Sequence, residues 1–298
     1  MSTSQPRFPI YIPSWSRADI ALTPHALDRM GVPYRIVVEE NQFADYARNY
    51  PEDRLLILDP EYQRKYETLA PRVPGMQLGP GPVRNFCWDH AISEGWPWFW
   101  TMDDNIRLFA RLQKNRRTPV GDGTILHAME TFVLRYTNVA MAGPHYWMFG
   151  TNRYKSPPFQ TGTRIYSCQL TRSDVPLRYR GCLNDDTITC IDILKAGWNT
   201  VLFNTFLQFK LPTQTLPGGC TGAVYAREGT IRKSRQVAVV HPDVAKVVWR
   251  FNRWHHFVDY SQWRNSPLIK REDYDPAEEP TYDLVKVARP DFRGRSPE

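Results

Sequence analysis

The first hundred residues alternate between short apolar runs and longer segments in which apolar residues recur every three or four positions. Short apolar runs bounded by Pro, Gly or Asp are typical of buried strands, and the longer period is typical of helices. The pattern predicts strands at 8–13, 34–39, 54–59 and 96–101, and helices at 20–30 and 83–94. Strands that alternate with helices in this order indicate an α/β fold, with a mostly parallel sheet flanked by helices.

The second half of the chain continues the alternation less regularly. Strands are predicted at 147–150, 164–170, 198–203 and 236–240. Between them, apolar residues at three-residue spacing from 188 to 194 indicate a helix that begins at Asn184 or Asp185 and ends at Gly197. The glycine pair at 218–219 predicts either a loop that closes over a ligand or a plain turn.

Side chains with polar oxygens follow the apolar run 96–101, in the sequence Asp103-Asp104-Asn105. An α/β enzyme binds its ligand at the carboxyl ends of buried strands, and carboxylate and amide oxygens suit a hard cation bound to phosphate. The same residue types are common in turns. Two interpretations therefore stand at this point, a site for metal and phosphate and a plain turn.

Composition restricts the class of protein. The 298 residues are 42% apolar, enough for a substantial core, and the sequence shows no apolar run typical of a membrane span or a secretory signal. The five cysteines form no Cys-x-x-Cys pair, which argues against a zinc site and a complete disulfide framework. We expect a cytoplasmic protein with reduced cysteines and no membrane partner. The sequence does not predict an oligomeric state.

The net charge of +7 favours an anionic partner. Basic residues concentrate in two stretches, 105–117 and 227–253, and aromatic residues interleave with and follow the second. This combination suits phosphate contacts and base stacking. The candidate residues for contacts with nucleic acid are Arg116, Arg117, Arg250 and Trp254. An amphipathic helix with an aromatic core face and a solvated basic face is the alternative explanation of the second stretch.

Several short motifs occur in the order found in one class of enzyme. They are Pro13-Ser14-x-Ser16-Arg17 after the first strand, Glu39-Glu40 after the second, Gly81-Pro82-Val83-Arg84-Asn85 at the start of a helix, Asp103-Asp104-Asn105, and Asn184-Asp185-Asp186. In this order the sequence resembles the nucleotide-sugar glycosyltransferases of the GT-A fold. The run from Arg84 to Ala91, which leads into the Asp103 strand, is similar to the TET-associated glycosyltransferases of bacteriophages. That family is linked to sugar addition on hydroxymethylated pyrimidines in DNA. The resemblance covers roughly residues 8 to 260.

The resemblance implies a donor site for a UDP-sugar together with a divalent metal, Mn²⁺ or Mg²⁺. The residues that match donor-binding positions are Ser14, Arg17, Glu39, Arg84, Asp103 and Asp104. Metal ligands are implied at Asp104, Asn105 and His241, and His255 and His256 compete with His241 for that role. The usual motif ends in a carboxylate where this chain has Asn105, and a neutral amide is a weaker ligand for either metal.

The resemblance also implies an acidic pair below the acceptor, and the matching residues are Asp185 and Asp186. If the transfer inverts the anomeric centre, the hydroxyl acceptor needs a base within hydrogen-bond reach to take its proton, and Asp186 is the first candidate for that base. A retaining transfer would remove that need, and the sequence does not decide between the two. The alternative is that both aspartates only cap the helix, where they interact favourably with its N-terminal dipole.

The expected architecture is a GT-A-like domain at 1–264, with a donor half at about 8–110 and an acceptor half at about 140–264 that includes a basic, aromatic C-terminal extension. An arm or tail is expected at 265–298. The function implied is transfer of a sugar from a UDP-sugar to the hydroxymethyl group of 5-hydroxymethylcytosine or hydroxymethyluracil in double-stranded DNA. Two alternatives are a GT-A enzyme with a protein, glycan or small-molecule acceptor, and a non-catalytic DNA-binding protein that reuses the fold.

Overall fold

The structure is a computed structural model that describes residues 5–72, 78–113, 116–150, 157–211, 225–264 and 266–274. The strands are β1 (Ile10–Pro13), β2 (Arg35–Val38), β3 (Leu55–Ile57), β4 (Trp98–Met102), β5 (Ile106–Gln113), β6 (Arg116–Pro119), β7 (Val139–Tyr146), β8 (Phe159–Thr161), β9 (Cys168–Arg172), β10 (Asn199–Lys210), β11 (Ala245–Arg250) and β12 (Arg253–Val258). The α-helices are α1 (Leu22–Arg29), α2 (Phe43–Ala47), α3 (Glu61–Lys65), α4 (Gly81–Ser93), α5 (Thr124–Leu134), α6 (Asp185–Lys195) and α7 (Tyr225–Val240).

The described strands β1 to β10 form one mixed sheet in the order β3-β2-β1-β4-β9-β7-β10-β5-β6, and β8 also pairs with β10. The block β3-β2-β1-β4 is parallel, and β7 and β10 are parallel to each other. Strand β9 runs antiparallel between β4 and β7. The predicted α/β fold is confirmed.

Both faces of this sheet are buried. Successive side chains of a strand point to opposite faces, so each strand supplies residues to two cores. In β1, Ile10 and Ile12 belong to one hydrophobic core and Tyr11 to another. In β4, Trp100 lies in the first core and Phe99 in the second. Helices α1 and α5 supply side chains to the first core, and α4 and α6 supply side chains to the second. Helices on both faces explain why these strands are continuous apolar runs.

One edge of the sheet gathers polar residues from distant parts of the chain. Ser14 follows β1, Glu39 follows β2 and Asp103 follows β4, all at the carboxyl ends of parallel strands. Ser167 reaches the same edge because it precedes β9, whose first residue pairs with the last residue of β4. Lys210 reaches it as the last residue of β10, which pairs with the first residue of β5.

Helix α7 and the β11–β12 hairpin pack beside this edge. Val237 of α7 and Ala245 of β11 share a small core with Ile188 of α6. At the tip of the hairpin, Phe251 and Asn252 have φ values of 51° and 57°. Two successive residues with positive φ are typical of the turn that suits the twist of a two-stranded hairpin.

The predicted strands at 147–150 and 236–240 are wrong, and the strand predicted at 164–170 begins only at residue 168. Strand β7 already ends at residue 146, and residues 147–149 form a single 3-10 turn. Residues 236–240 are the last part of α7. The basic stretch at 227–253 is helical only up to 240, and its remainder forms most of a hairpin. The glycine pair at 218–219 lies outside the described residues.

Residues 266–274, which begin the predicted tail, lie against the body of the protein. The backbone N–H of Thr137 donates to the carbonyl of Ile269 at 2.8 Å, and the N–H of Arg271 donates to the carbonyl of Arg135 at 2.9 Å. Among the helices of the described segments, none is both long enough and apolar enough to cross a membrane.

Candidate active site

A cleft of about 740 Å³ opens at the polar edge of the sheet. Its walls come from the segments that follow β1, β2 and β4, from the start of α4, and from the start of α6. Ligands of open α/β sheets bind at this position, outside the carboxyl ends of the parallel strands. The volume is within the range of ordinary small-molecule sites, roughly 300–1,000 Å³.

Glycines allow helix α4 to begin close to the cleft. A Cβ atom on Gly81 would lie 1.8 Å from the hydroxyl oxygen of Tyr66, and one on Gly79 would lie 2.6 Å from the carbonyl oxygen of Cys182. Gly79 also has a φ of +70°, a backbone angle that residues other than glycine rarely adopt. This close approach places Arg84, in the first turn of α4, at the back of the cleft.

Arg84 joins two of the acidic motifs. Its Nη1 donates to Asp185 Oδ2 at 2.7 Å, and its Nη2 donates to Asp103 Oδ1 at 2.9 Å. The guanidinium also lies over the ring of Tyr179, with 5.4 Å between Cζ and the ring centroid. Only 4% of Arg84 is exposed, so its charge is held by these contacts rather than by water.

Asp103 has a second cationic partner that the sequence did not suggest. Lys210 Nζ lies 2.5 Å from Asp103 Oδ2 and 2.8 Å from the hydroxyl oxygen of Ser167. Burial alone would raise the pKa of Asp103, but the charges of Lys210 and Arg84 outweigh it and hold that pKa well below its ordinary value. Both oxygens of the Asp103 carboxylate are therefore engaged by cations.

Asp104 is turned away from Asp103 and supports the turn after β1. Its carboxylate accepts hydrogen bonds from Ser14 Oγ at 2.8 Å and from Arg17 Nη1 at 2.5 Å. Its backbone carbonyl accepts from the N–H groups of Leu22 and Thr23 at the start of α1. Burial raises the pKa of this carboxyl, against the opposing effect of Arg17. The acid ties two elements together at the floor of the cleft.

The acidic pair at the start of α6 is split between two environments. Asp185 is buried against Arg84, and burial raises the pKa of its carboxyl to about 6 even though Arg84 opposes the shift. Asp186 is half-buried at the surface of the cleft. Burial would raise its pKa as well, but Arg164, Arg84 and Lys233 together lower it. Asp186 is thus a carboxylate that stays ionised at neutral pH and faces the cleft.

A further wall of the cleft is formed around Arg164, which the sequence did not single out, and His256, which it offered only as an alternative to His241 as a metal ligand. Arg164 Nη1 lies 2.9 Å from Thr187 Oγ1 and 3.0 Å from His256 Nε2, and its guanidinium stacks 4.0 Å above the ring of Tyr166. Burial and the Arg164 charge lower the pKa of His256 to about 4, so the ring is neutral at physiological pH. His256 belongs to β12, which brings the hairpin into contact with the cleft.

Comparison with known families identifies the kind of enzyme. The model of the family described as TET-Associated Glycosyltransferase matches residues 8–219. The chain belongs to this family. A search of curated proteins gives no match. The matched range contains Asp103, Asp185 and Asp186, and it ends before the β11–β12 hairpin, although the resemblance was expected to extend to about residue 260.

The cleft of the glycosyltransferase brings together most of the site residues predicted from the sequence. It is lined by Asn105 of the predicted metal site, by the acidic pair Asp185 and Asp186, and by all six residues predicted for the donor, which are Ser14, Arg17, Glu39, Arg84, Asp103 and Asp104. Among them, Glu39 accepts a hydrogen bond from Gln63 Nε2 at 2.7 Å. Lys210, Arg164, Ser167 and His256 line the same cleft, and no local sequence pattern marks them as a group.

His241 does not lie with the other predicted metal ligands of the glycosyltransferase. It follows the end of α7, where its Nε2 is 3.5 Å from Asp192 and its Nδ1 is 3.2 Å from Lys195 Nζ. Both neighbours belong to the last part of α6, whereas Asp185 and Asp186 in the cleft begin that helix. The prediction that His241 completes a metal site with Asp104 and Asn105 is therefore not supported by its position.

Arg116 and Arg117 do not line the cleft of the glycosyltransferase. They pair with Gln113 and Leu112 at the far end of β5, whose first residue follows the cleft residue Asn105. The seven steps from Ile106 to Gln113, at about 3.4 Å each, put Arg116 roughly 24 Å away along the strand, and Arg117 is one step nearer. Arg117 also donates to the carbonyl of Gly150 through Nε and Nη2.

The acids of this glycosyltransferase do not fit a divalent metal held by carboxylates. Asp103 is engaged by Arg84 and Lys210, and Asp104 by Ser14 and Arg17. Within the described residues, no group of three or more His, Cys, Asp or Glu side chains is placed to hold a metal ion. The remaining side-chain acceptor of the Asp103-Asp104-Asn105 motif is the buried Asn105 Oδ1, which has no hydrogen-bond partner in the described part of the chain. One neutral oxygen is a poor substitute for the several charged ligands that Mg²⁺ or Mn²⁺ prefers, whereas it suits a hydroxyl donor.

Proposed function

We propose that this glycosyltransferase transfers a sugar from a UDP-sugar to the hydroxymethyl group of 5-hydroxymethylcytosine, or of hydroxymethyluracil, in double-stranded DNA. The observation that supports DNA as the acceptor is the aromatic, basic hairpin β11–β12, which extends from the wall of the cleft. The observations that support a nucleotide-sugar donor are the position of the cleft and the number of cations that line it.

The hairpin carries a pair of exposed tryptophans on the face that meets the cleft. Trp249 and Trp254 are directly opposite each other, and their ring centroids are 5.1 Å apart. Trp254 and His256 are two residues apart on β12, so both side chains point to the same face at a separation of about 7 Å along the strand. Because His256 lines the cleft, the tryptophans lie at its margin.

Exposure and charge of the hairpin suit a nucleic acid. Trp249 is 57% exposed and Phe251, at the tip, is 88% exposed. Arg250 and Arg253 form a cross-strand pair at the same end, and Arg250 lies over the ring of Phe257 at 5.5 Å. Aromatic faces stack on bases and arginines bind phosphate, whatever the DNA sequence. A base in a duplex must leave the stack before its substituent can reach a deep pocket, and an inserted aromatic ring can fill the space that it leaves.

The donor is expected to lie along the polar edge of the sheet. Ser14 and Glu39 would hold the uridine end, at the carboxyl ends of β1 and β2. Asn105 Oδ1 would accept a hydrogen bond from a hydroxyl of the ribose or of the sugar, which would give that buried oxygen a partner.

Asp186 is the proposed base. In a single displacement, the acceptor oxygen attacks the anomeric carbon, the bond from that carbon to the diphosphate breaks, and the acceptor proton passes to the Asp186 carboxylate. This displacement inverts the configuration of the anomeric carbon. Asp185, buried against Arg84, fixes the start of α6 and positions Asp186 without contacting the acceptor.

The test is a nucleoside analysis by mass spectrometry of hydroxymethylcytosine-containing DNA, incubated with the protein, Mn²⁺ or Mg²⁺, and a mixture of UDP-sugars. We expect the mass of a hexose or N-acetylhexosamine on the modified nucleoside, and none on unmodified cytosine. Release of UDP without any modified nucleoside would overturn the DNA acceptor and favour a protein, glycan or small-molecule acceptor. No release of UDP would overturn the donor.

A second experiment tests the hairpin. Trp254→Ala should raise the Michaelis constant for DNA about tenfold, because loss of one base-stacking contact costs about 1–3 kcal/mol. Trp96→Ala is the matched control, since Trp96 is 37% exposed, close to the 39% of Trp254, and lies outside the cleft. Equal effects of the two substitutions on the Michaelis constant would show that the hairpin does not bind the acceptor DNA.

A further inference from the structure

Basic side chains outnumber acidic ones in the cleft, so its own residues can balance the charge of a diphosphate. The basic residues that line it are Arg17, Arg64, Arg72, Arg84, Arg164, Lys210 and Lys233. The acidic residues that line it are Glu39, Asp103, Asp104, Asp185 and Asp186. Transfer of a sugar from a nucleoside diphosphate leaves one more negative charge on the diphosphate, and a bound divalent cation is one of several ways to stabilise that charge.

The pairing of β10 with β5 places the Lys210 ammonium beside Asp103, in the motif where a metal ion was expected. The register of β10 against β5 shifts between Phe209 and Lys210, and irregularities of this kind change the direction of the side chains that follow. The Lys210 ammonium lies between Asp103 Oδ2 and Ser167 Oγ, and the cleft lies in front of it. A metal ion on Asp103 would have to displace Lys210 or Arg84.

We propose that sugar transfer by this enzyme needs no divalent metal, and that the Lys210 ammonium contacts the departing diphosphate in place of one. The proposal rests on the proposed function only in taking a nucleoside diphosphate sugar as the donor. When the bond between the anomeric carbon and the diphosphate oxygen breaks, the electron pair stays on that oxygen, and Lys210 and the nearby arginines stabilise the added charge. Lys210 keeps its proton throughout, because the attraction of Asp103 outweighs burial and raises the pKa of the ammonium above its ordinary value. The proton of the acceptor goes to Asp186.

The metal requirement is tested by calorimetric binding of diphosphates to the full-length protein. The probes are inorganic diphosphate and the diphosphates of uridine, guanosine, adenosine, cytidine and thymidine, each with EDTA and again with Mn²⁺. We expect the tightest of these probes to bind with affinities that agree within about twofold in the two conditions, because the cations are supplied by the chain. Binding that tightens about tenfold or more with Mn²⁺ would refute the inference, since that difference corresponds to a metal bridge of about 1.4 kcal/mol. No binding of any probe in either condition would refute it as well.

The role of Lys210 is tested by charge removal with a matched control. Lys210→Met should slow release of nucleoside diphosphate about 10²–10³-fold, as loss of one stabilising donor does in other enzymes. Lys195→Met is the control, because Lys195 also forms an ion pair with an aspartate, Asp243, but lies outside the cleft. Lys210→Arg, which keeps the positive charge, should retain more activity than Lys210→Met. Equal losses in Lys210→Arg and Lys210→Met, or a Lys210→Met variant as active as Lys195→Met, would show that Lys210 does not act through its charge.

These outcomes are separate from those of the proposed function. Failure to modify DNA overturns the acceptor and leaves the diphosphate measurements valid. A metal-dependent affinity overturns the present inference and leaves transfer to DNA untouched.

Discussion

Replacement of Arg84 by methionine should destabilise the protein strongly. The variant keeps a long, unbranched side chain with good helix propensity, and it removes a charge that is 4% exposed and bonded to both Asp103 and Asp185. Removing one partner of a buried ion pair costs about 3–5 kcal/mol, because the other charge is left without compensation. Asp103 keeps Lys210 as a partner, so most of the cost is expected at Asp185.

The expected change in melting temperature follows from the size of the chain. The entropy of unfolding is about 2.1 cal/mol/K per residue, which for 298 residues gives about 0.6 kcal/mol/K. A loss of about 3–5 kcal/mol therefore lowers the melting temperature by about 5–8 °C. The assay is thermal unfolding followed by tryptophan fluorescence, with the folded state of each variant checked by circular dichroism.

Two further variants make the Arg84 prediction specific. Arg271→Met removes an arginine that forms two hydrogen bonds to Asp273 on the surface, at 2.9 and 2.8 Å. Exposed pairs of this kind contribute about 0–1 kcal/mol, so the melting temperature should fall by less than about 2 °C. The double variant Arg84→Met/Asp185→Asn should recover much of the loss, because the unpaired buried charge is gone. An Arg84→Met variant no less stable than Arg271→Met, or a double variant without recovery, would contradict the reasoning.

The remaining predictions concern activity. Asp186→Asn should lower kcat about 10²–10⁴-fold in steady-state kinetics, while the dissociation constant of UDP, measured by calorimetry, stays within about twofold. Full activity of this variant would exclude Asp186 as the base. The Asp185 carboxyl takes up a proton as the pH falls through about 6 and then loses its hold on Arg84, so kcat/KM should fall on the acid side of pH 6; this inflection should be absent from the pH profile of Asp185→Asn. Arg116→Glu with Arg117→Glu should raise the Michaelis constant for duplexes of about 30 base pairs and leave that for duplexes of about 10 base pairs unchanged, because roughly 24 Å of strand, or about 7 base pairs at about 3.4 Å each, separates these residues from the cleft.

The parts of the site that are local in sequence could be predicted from it. Asp103 follows an apolar strand, and Asp185 begins an amphipathic helix, so each can be placed at an element boundary from a short window of residues. Ser14 and Glu39 were assigned to the donor site by the resemblance, and in the structure they lie at the same edge because parallel strands end together. These positions depend on one strand or helix each, and the pattern of apolar residues marks that element.

Elements with an unusual pattern were missed. Strand β5, with the sequence Ile106-Arg-Leu-Phe-Ala-Arg-Leu-Gln113, was interpreted as part of a basic patch because its arginines and their neighbours suggested a phosphate site. In the structure the strand pairs with β10 and β6, and this pairing carries Arg116 and Arg117 away from the cleft. Charge alone does not show on which strand, or at which end of it, a basic residue lies.

The partners of the acidic motifs were also missed, since they depend on pairings between distant strands. Lys210 is 107 residues from Asp103, and the two meet only because β10 lies two strands from β9 and ends at the same edge as β4. His241 shows the converse error, because the resemblance supplied a histidine near the end of the domain without its position in space. The histidine that does line the cleft is His256, which the turn at Phe251 and Asn252 and the pairing of β11 with β12 bring back to it.

The partners of Asp103 change how its motif is interpreted. An acidic triplet after a strand predicts a metal when its oxygens are free, and here the oxygens of Asp103 are taken by Arg84 and Lys210. Asn105 removes one carboxylate from the motif, and Lys210 supplies a positive charge to it. Both differences shift the site in the same direction, away from binding a cation and towards binding an anion directly. Under the proposed function, the diphosphate would be bound by the cations that the acids of the motif hold in place, and the pairing of distant strands is what brings those cations to the motif.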